Sequence, residues 1–189
     1  MSLILILLVI ATCVLISIKS RMMRTSVKIR SMTFPSDILN LVKIGDKIQP
    51  IPYAGKGLYC VALFHNAILG DKSVRTKTFY MGVLEVENFE ERFRKMDEFL
   101  EDSSGASIHA IFSVGGSHKK PVLELMRAGI ASGDFEDLAT ILRKHGMKKF
   151  IGLGHGCRQP YILIKDVSSG KVVERSGSCG GEITLSTVA

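Results

Sequence analysis

Hydrophobic and polar positions divide the chain into an apolar opening and a longer stretch of alternating strand and helix patterns. Met1 to Ile18 reads MSLILILLVIATCVLISI, without a charge, proline or glycine. As a helix this run would reach roughly 27 Å, the thickness of a thin bilayer core. Ser36–Leu41 predicts a short helical turn after Pro35, and Lys47–Ile51 an extended segment stopped by the Pro50 and Pro52 pair. The loop Tyr53-Ala54-Gly55-Lys56-Gly57 feeds Leu58–Phe64, a continuous apolar run that predicts a strand buried on both faces. Asn66–Asp71 reads as a turn, and Thr76–Val86, rich in β-branched and aromatic residues, as the returning strand.

Helical spacing begins at Asn88, a predicted N-cap with Glu90 and Glu91 in the first turn. Phe89, Phe93, Met96 and Leu100 form one stripe, ending near Asp102. Ser107–Val114 predicts a strand running into Gly115-Gly116, and residues 121–130 are helical or irregular. Asp134 is the expected cap of a second helix with Leu138, Ile141 and Leu142 inward, closed at Gly146. Lys149–Leu153 and Tyr161–Lys165 predict strands, the latter turning at Asp166–Gly170 into Val172–Arg175. The tail from Ser176 shows no strong pattern. Strands outnumber helices and hairpins mix with helical crossovers, so the fold class is α+β, with mixed sheets and flanking helices.

Composition sharpens this picture at the N-terminus. The chain has 189 residues, 46% hydrophobic and 23% charged, which suits one globular domain. Its formal charge of +7 is concentrated in Lys19, Arg21, Arg24, Lys28 and Arg30, and the first acid is Asp37. Everything downstream carries only about +2, too little for a nucleic-acid-binding face. A cleaved signal peptide would place its charges before the apolar run, and Ile18-Lys19-Ser20-Arg21 is a poor cleavage site. A signal anchor over residues 1–18 fits better, because the cluster Lys19–Arg30 would hold the following domain in the cytoplasm. The competing reading begins the protein at Met22, Met23 or Met32. The expected layout is thus an anchor over 1–18, a basic linker over 19–34, a domain over 35–176 and a loose tail over 177–189.

Cysteine and histidine supply the candidate chemistry. Cys60, Cys157 and Cys179 lie in the domain, widely spaced and without a C-x-x-C pair, so no disulfide framework is signalled. His155, Cys157 and Cys179 make a weak metal pattern, and no cofactor is expected. Cys60 stands where the glycine loop meets the buried strand. A thiol there would be exposed on one side, beside backbone N–H groups suited to an oxyanion. Read without other context, Cys60 is one more small buried hydrophobe.

The order of motifs in the C-terminal half adds a resemblance. Ile111-Phe112-Ser113-Val114-Gly115-Gly116 is followed by Ile130-Ala131-Ser132-Gly133-Asp134 and a helix ending Leu142-Arg143-Lys144-His145-Gly146-Met147. A glycine-rich turn from Gly152 to Gly156, with Arg158, then leads to Asp166-x-x-Ser169-Gly170-x-Val172. This order resembles the chemoreceptor glutamine deamidase family, CheD, over roughly residues 45–175. That family has a strand ending in Phe-Gly-Gly, a helix closing on Gly-Ile, a Gly-Gly…Gly-Arg turn and a D-x-x-T-G-x-V hairpin.

The resemblance implies a CheD-like cysteine-hydrolase sandwich with Cys60 as nucleophile. In the family a Gly-x-Gly-Ser-Cys loop precedes a Val-Ala-Val-type strand, matched here by Cys60-Val61-Ala62-Leu63. The implied activity is deamidation of receptor glutamines through a cysteine thioester. The implied partners are chemoreceptor cytoplasmic tails and a CheC-type phosphatase. The sequence departs from the family in several places. Gly55 and Gly57 stand one residue farther from the cysteine, Tyr59 replaces the family serine, and Ala54 replaces a threonine. The family histidine belongs on the strand after the cysteine hairpin, yet residues 72–86 contain none.

Among the remaining histidines, His109 shares a strand face with Ile111 and Ser113 and is the expected substitute base, ahead of His155. His65 would point away from the Cys60 face, and His118 and His145 read as exposed loop and helix-end residues. Two function classes follow: a protein-glutamine deamidase, and a non-catalytic relative that binds receptors or the phosphatase. A toxin-like deamidase of the same fold is a third.

Overall fold

The computed structural model describes the chain except residues 1–2, 23–25, 33–40, 66–73, 117, 154–158, 179 and 189. The turn expected at 36–41, apart from Leu41, and the turn at 66–71 therefore lie outside the described residues, as do His155, Cys157 and Cys179. Helix α1 (Leu3–Met22) is followed by strands β1 (Ser26–Met32), β2 (Val42–Ile44), β3 (Lys47–Gln49), β4 (Gly57–Phe64) and β5 (Arg75–Gly82). Next come α2 (Phe89–Asp102), β6 (Ile108–Val114), α3 (Lys120–Ser132), α4 (Glu136–His145), β7 (Tyr161–Asp166), β8 (Val172–Ser176) and β9 (Glu182–Val188). The fold is α+β, a mixed sheet flanked by helices.

β6 is the hub of the sheet. It pairs antiparallel with β4 on one flank and β7 on the other, and β5 and β8 extend these flanks. A single parallel pair, Met32 with Val114, joins β6 to a second leaf made of β3, β2, β1 and β9. The continuous apolar run of β4 follows from this position, since all but its last residue are buried. One face of β4, β6 and β7 carries Tyr59, Val61, Phe112 and Ile162 against Val27, Ile29, Val42 and Leu185 of the second leaf. The other face carries Leu58, Cys60, Ile111 and Leu163 beneath the helices. There the expected stripe Phe89, Phe93, Met96 and Leu100 is the buried side of α2.

Several expectations are corrected. The presumed basic linker contains β1, in which buried Val27 and Ile29 alternate with exposed Ser26 and Lys28. The presumed loose tail contains β9, which pairs with the whole of β1 from Ser26–Val188 to Met32–Glu182. A chain begun at Met32 would lose this ladder. Lys149–Leu153 forms turns and not a strand, because side chains take its backbone groups. Glu174 accepts N–H bonds from Lys149 and Phe150, while Arg127 donates to the carbonyls of Ile151 (2.6 Å) and Leu153 (2.7 Å). Residues 121–130 are wholly helical, within α3.

The expected helix caps also differ. Asn88 stands at the N-cap of α2 as expected but its side chain makes no capping bond, and α4 is capped at Phe135 and not Asp134, which accepts a bond from Ser132 Oγ (2.6 Å). The close at Gly146 is as expected: it adopts φ +76°, and the N–H of Met147 reaches the Leu142 carbonyl.

α1 is a continuous helix of 20 residues, and Leu5, Leu7, Leu8, Val9, Ile10, Val14 and Leu15 are exposed along it. Among the described residues, no helix is long and apolar enough to cross a membrane.

Candidate functional site at Cys60

The glycine loop enters β4 through a close approach of two backbones. Gly57 has φ +146°, and a Cβ there would lie 2.2 Å from the carbonyl carbon of Gly82 on β5. Only glycine admits that contact. The register then shifts between Leu58 and Tyr59, so that Tyr59 faces Tyr80 and Cys60 faces Phe79. The loop therefore joins the strand at Gly57, and Cys60, expected at that junction, lies inside β4, paired with Phe79 on one side and Ile111 on the other.

Its exposure is not as expected. Cys60 is fully buried within the helix-covered core. Its thiol approaches the thioether of Met81, Sγ to Sδ 3.8 Å. Burial pushes the thiol's pKa well above its ordinary 9.0, and among the described residues no charged group acts the other way. A thiolate nucleophile needs the opposite shift, which a neighbouring cation or helix N-terminus normally supplies.

His109 does lie on the same sheet face. Cys60 registers with Ile111, and His109 with Ala62, which makes the cysteine and histidine diagonal neighbours. Such pairs stand about 7–8 Å apart. The imidazole is committed elsewhere, because Nε2 donates to the Ser103 carbonyl at 3.0 Å. Burial lowers its pKa, with the Ser103 bond opposing in part. Among the described residues no hydrogen bond joins it to Cys60.

The loop's oxyanion donors are also engaged. The N–H groups of Ala54 and Gly55 both point to the Tyr59 hydroxyl at 3.1 Å, and that hydroxyl donates to the Gly55 carbonyl. Tyr80 donates similarly to the Lys56 carbonyl. Tyr59 is thus the lock of this loop. Its side chain is long enough to span the loop, as a small side chain at this position would not be. Beside the return strand, Arg92 of α2 donates to the carbonyls of Met81 (2.8 Å) and Val83.

The other histidines sit differently from their reading as exposed residues. His145 is buried and donates from Nε2 to Asp97 at 2.7 Å, linking α4 to α2. Its pKa is lowered by burial, which outweighs the pull of Asp97. His118 is half-buried edge-on to Phe150, and burial together with nearby Arg127 lowers its pKa to about 4. His65 lies just beyond β4 with Nε2 buried. Among the described residues no group of three metal-ligating side chains converges.

Ser31, Ser113 and the Tyr161 N–H form a buried polar knot where the two leaves meet. Ser31 Oγ donates to the Ser113 carbonyl (2.6 Å), and the Tyr161 N–H lies 2.9 Å from Ser113 Oγ. It joins β1, β6 and β7 and satisfies its own groups, so it holds the leaves together and offers no free nucleophile. Compared with known proteins, the chain matches no protein-family model, no curated protein and no solved structure.

Proposed function

We propose that the chain is a CheD-like protein that binds chemoreceptor cytoplasmic tails or a CheC-type phosphatase without deamidating them. The kinship rests on the order of motifs: glycine loop, cysteine strand, strand into Gly115-Gly116, helix closing on Gly146, and the Asp166–Gly170 hairpin. A CheD-like sandwich is accordingly the proposed fold family. The observation that carries the non-catalytic reading is the surroundings of Cys60. A deamidase needs a base within hydrogen-bond reach of the sulfur and donors free to hold the oxyanion. Here a thioether faces the sulfur, and two of the glycine loop's N–H groups, those of Ala54 and Gly55, are bound by Tyr59.

A second reading retains the enzyme, favoured by the loop-to-strand placement of Cys60 and by His109 on the same face. In it the Cys60 thiolate attacks the glutamine carboxamide, His109 passes the sulfur's proton to the leaving ammonia, and water hydrolyses the thioester to glutamate. That chemistry requires Met81 to move off the sulfur and His109 to leave Ser103.

The test incubates the full chain with purified chemoreceptor cytoplasmic fragments and follows both co-sedimentation and ammonia release. Binding without ammonia is the expected result. Ammonia release abolished by Cys60→Ala would establish the enzyme instead, and absence of both would remove the receptor partnership.

A further inference from the structure

On the side of the domain formed by α3, α4 and the turns at 147–151, two depressions run together. The first, of about 490 Å³, is apolar: Ile130 of α3, Ala139 and Leu142 of α4, Met147 and Ile151 line it. Glu136, Ala139 and Arg143 present one face of α4 to it at helical spacing. The second, of about 710 Å³, is basic and contains Arg143, Lys144, Lys148, Lys149 and Lys165. Arg143 and Lys148 border both.

The positive charge of the second depression is largely unanswered. Lys144 is paired with Asp97 and Glu101. Among the described residues, however, Arg143, Lys148, Lys149 and Lys165 pair with no carboxylate: Arg143 bonds Ala139 and Thr140 of its own helix, and Lys165 donates to the Lys144 carbonyl. Glu174, the acid inside the depression, has both oxygens occupied, one by the Lys149 N–H and the other by the Phe150 N–H and the Tyr161 hydroxyl. The dipole of α4 accounts for basic residues in its last turn but not for Lys148, Lys149 and Lys165.

We propose that this surface docks an acidic amphipathic helix of a partner protein, its apolar side in the groove and its carboxylates on Arg143, Lys148, Lys149 and Lys165. Helix-in-groove recognition sets side chains at the i, i+3, i+4 and i+7 positions of a short helix against an apolar depression of this kind. The adjoining charges fix the partner's sign and orientation. A purely anionic ligand would leave the apolar groove unused, and a purely apolar one would leave the charges unmatched. The proposal does not depend on how Cys60 is read.

The test measures fluorescence anisotropy of a labelled synthetic helix of roughly 18 residues, leucine at those positions and glutamate elsewhere, against the full chain. A scrambled peptide of identical composition and polyglutamate serve as comparisons. The expected result is binding at least about tenfold tighter for the amphipathic peptide than for either comparison, a free-energy difference of about 1.4 kcal/mol. Lys148→Glu with Lys149→Glu, and separately Ala139→Glu, should each weaken it by about tenfold or more, with the thermal transition unchanged for the surface lysine pair. Equal binding of all three ligands would overturn the proposal in favour of simple anion attraction. So would binding indifferent to the lysine pair, or phosphatidylserine vesicles binding at this surface in preference to the peptide.

Discussion

The Cys60 sulfur lies 3.8 Å from the sulfur of Met81, and both residues are buried in the core beneath the helices. Two soft, apolar groups in contact describe packing and not activation. Cys60→Ala should therefore cost only about 1 kcal/mol. Cys60→Ser should cost about 1–3 kcal/mol more, because a hydroxyl placed against a thioether finds no adequate partner. Urea denaturation of the two variants checks the order. A serine variant as stable as wild type would show that the site is wetter than the packing indicates.

The hydroxyl of Tyr59 satisfies two N–H groups and one carbonyl of the glycine loop. Tyr59→Phe should lower stability by about 1–3 kcal/mol and speed hydrogen exchange at Ala54 and Gly55. Unchanged exchange at those two amides would mean that the hydroxyl does not hold the loop.

Gly57→Ala should destabilise by about 3 kcal/mol or more, since the added methyl meets the Gly82 backbone and the residue keeps a positive φ. Thermal unfolding measures it. The loss is set by backbone contact, so Gly57→Ser should be no milder.

How much of this was readable in the sequence differs by element. The run Leu58–Phe64 announced a strand covered on both sides, and the Phe89–Leu100 stripe announced the buried side of α2, because both patterns are local. β1 was hidden because Lys28 and Arg30 drew attention to charge, while Val27 and Ile29 alternated between them. Its partner β9 lies over 150 residues away, as Ser26 pairs with Val188. The turn at Lys149–Leu153 depends on Arg127 and Glu174, which no window of sequence brings together. At the candidate site, the strand position of Cys60 and its burial were both legible in the apolar run around it. Its thioether neighbour was not, because that contact depends on Met81 across the hairpin.

The β1–β9 ladder makes a prediction about chain length. Circular dichroism and thermal melts should show a cooperative domain when residues 1–21 are removed, leaving Met22 as the start. Removal of residues 1–31 or of residues 182–189 should abolish cooperative unfolding, because each deletes one side of the ladder. A cooperative domain begun at Met32 would contradict the assignment of β1 to the fold.

Acid should destabilise the domain in a defined window. His118, His109 and His145 all have folded pKa values below the ordinary 6.5, with burial the largest cause. Between that value and each folded value the unfolded chain binds a proton that the native chain does not, so stability is complete above 6.5 and falls as pH drops. For His118 the decline extends to about pH 4. Melting temperature recorded from about pH 7 downward should fall steadily, and His118→Gln should make that slope shallower. A melting temperature that rises on acidification would reverse the assignment of these histidines as neutral in the fold.

The most direct measurement of the central claim is native-state alkylation of the full chain with iodoacetamide at neutral pH, followed by peptide mapping. Cys13 is exposed on α1 and Cys60 is buried, so one protein carries both the label's positive control and its target. The account predicts that Cys13 is labelled while Cys60 stays unmodified until the domain is unfolded in denaturant. Rapid labelling of Cys60 in the folded protein, faster than that of Cys13, would reveal an accessible thiolate and contradict the reading of Cys60 as a core residue.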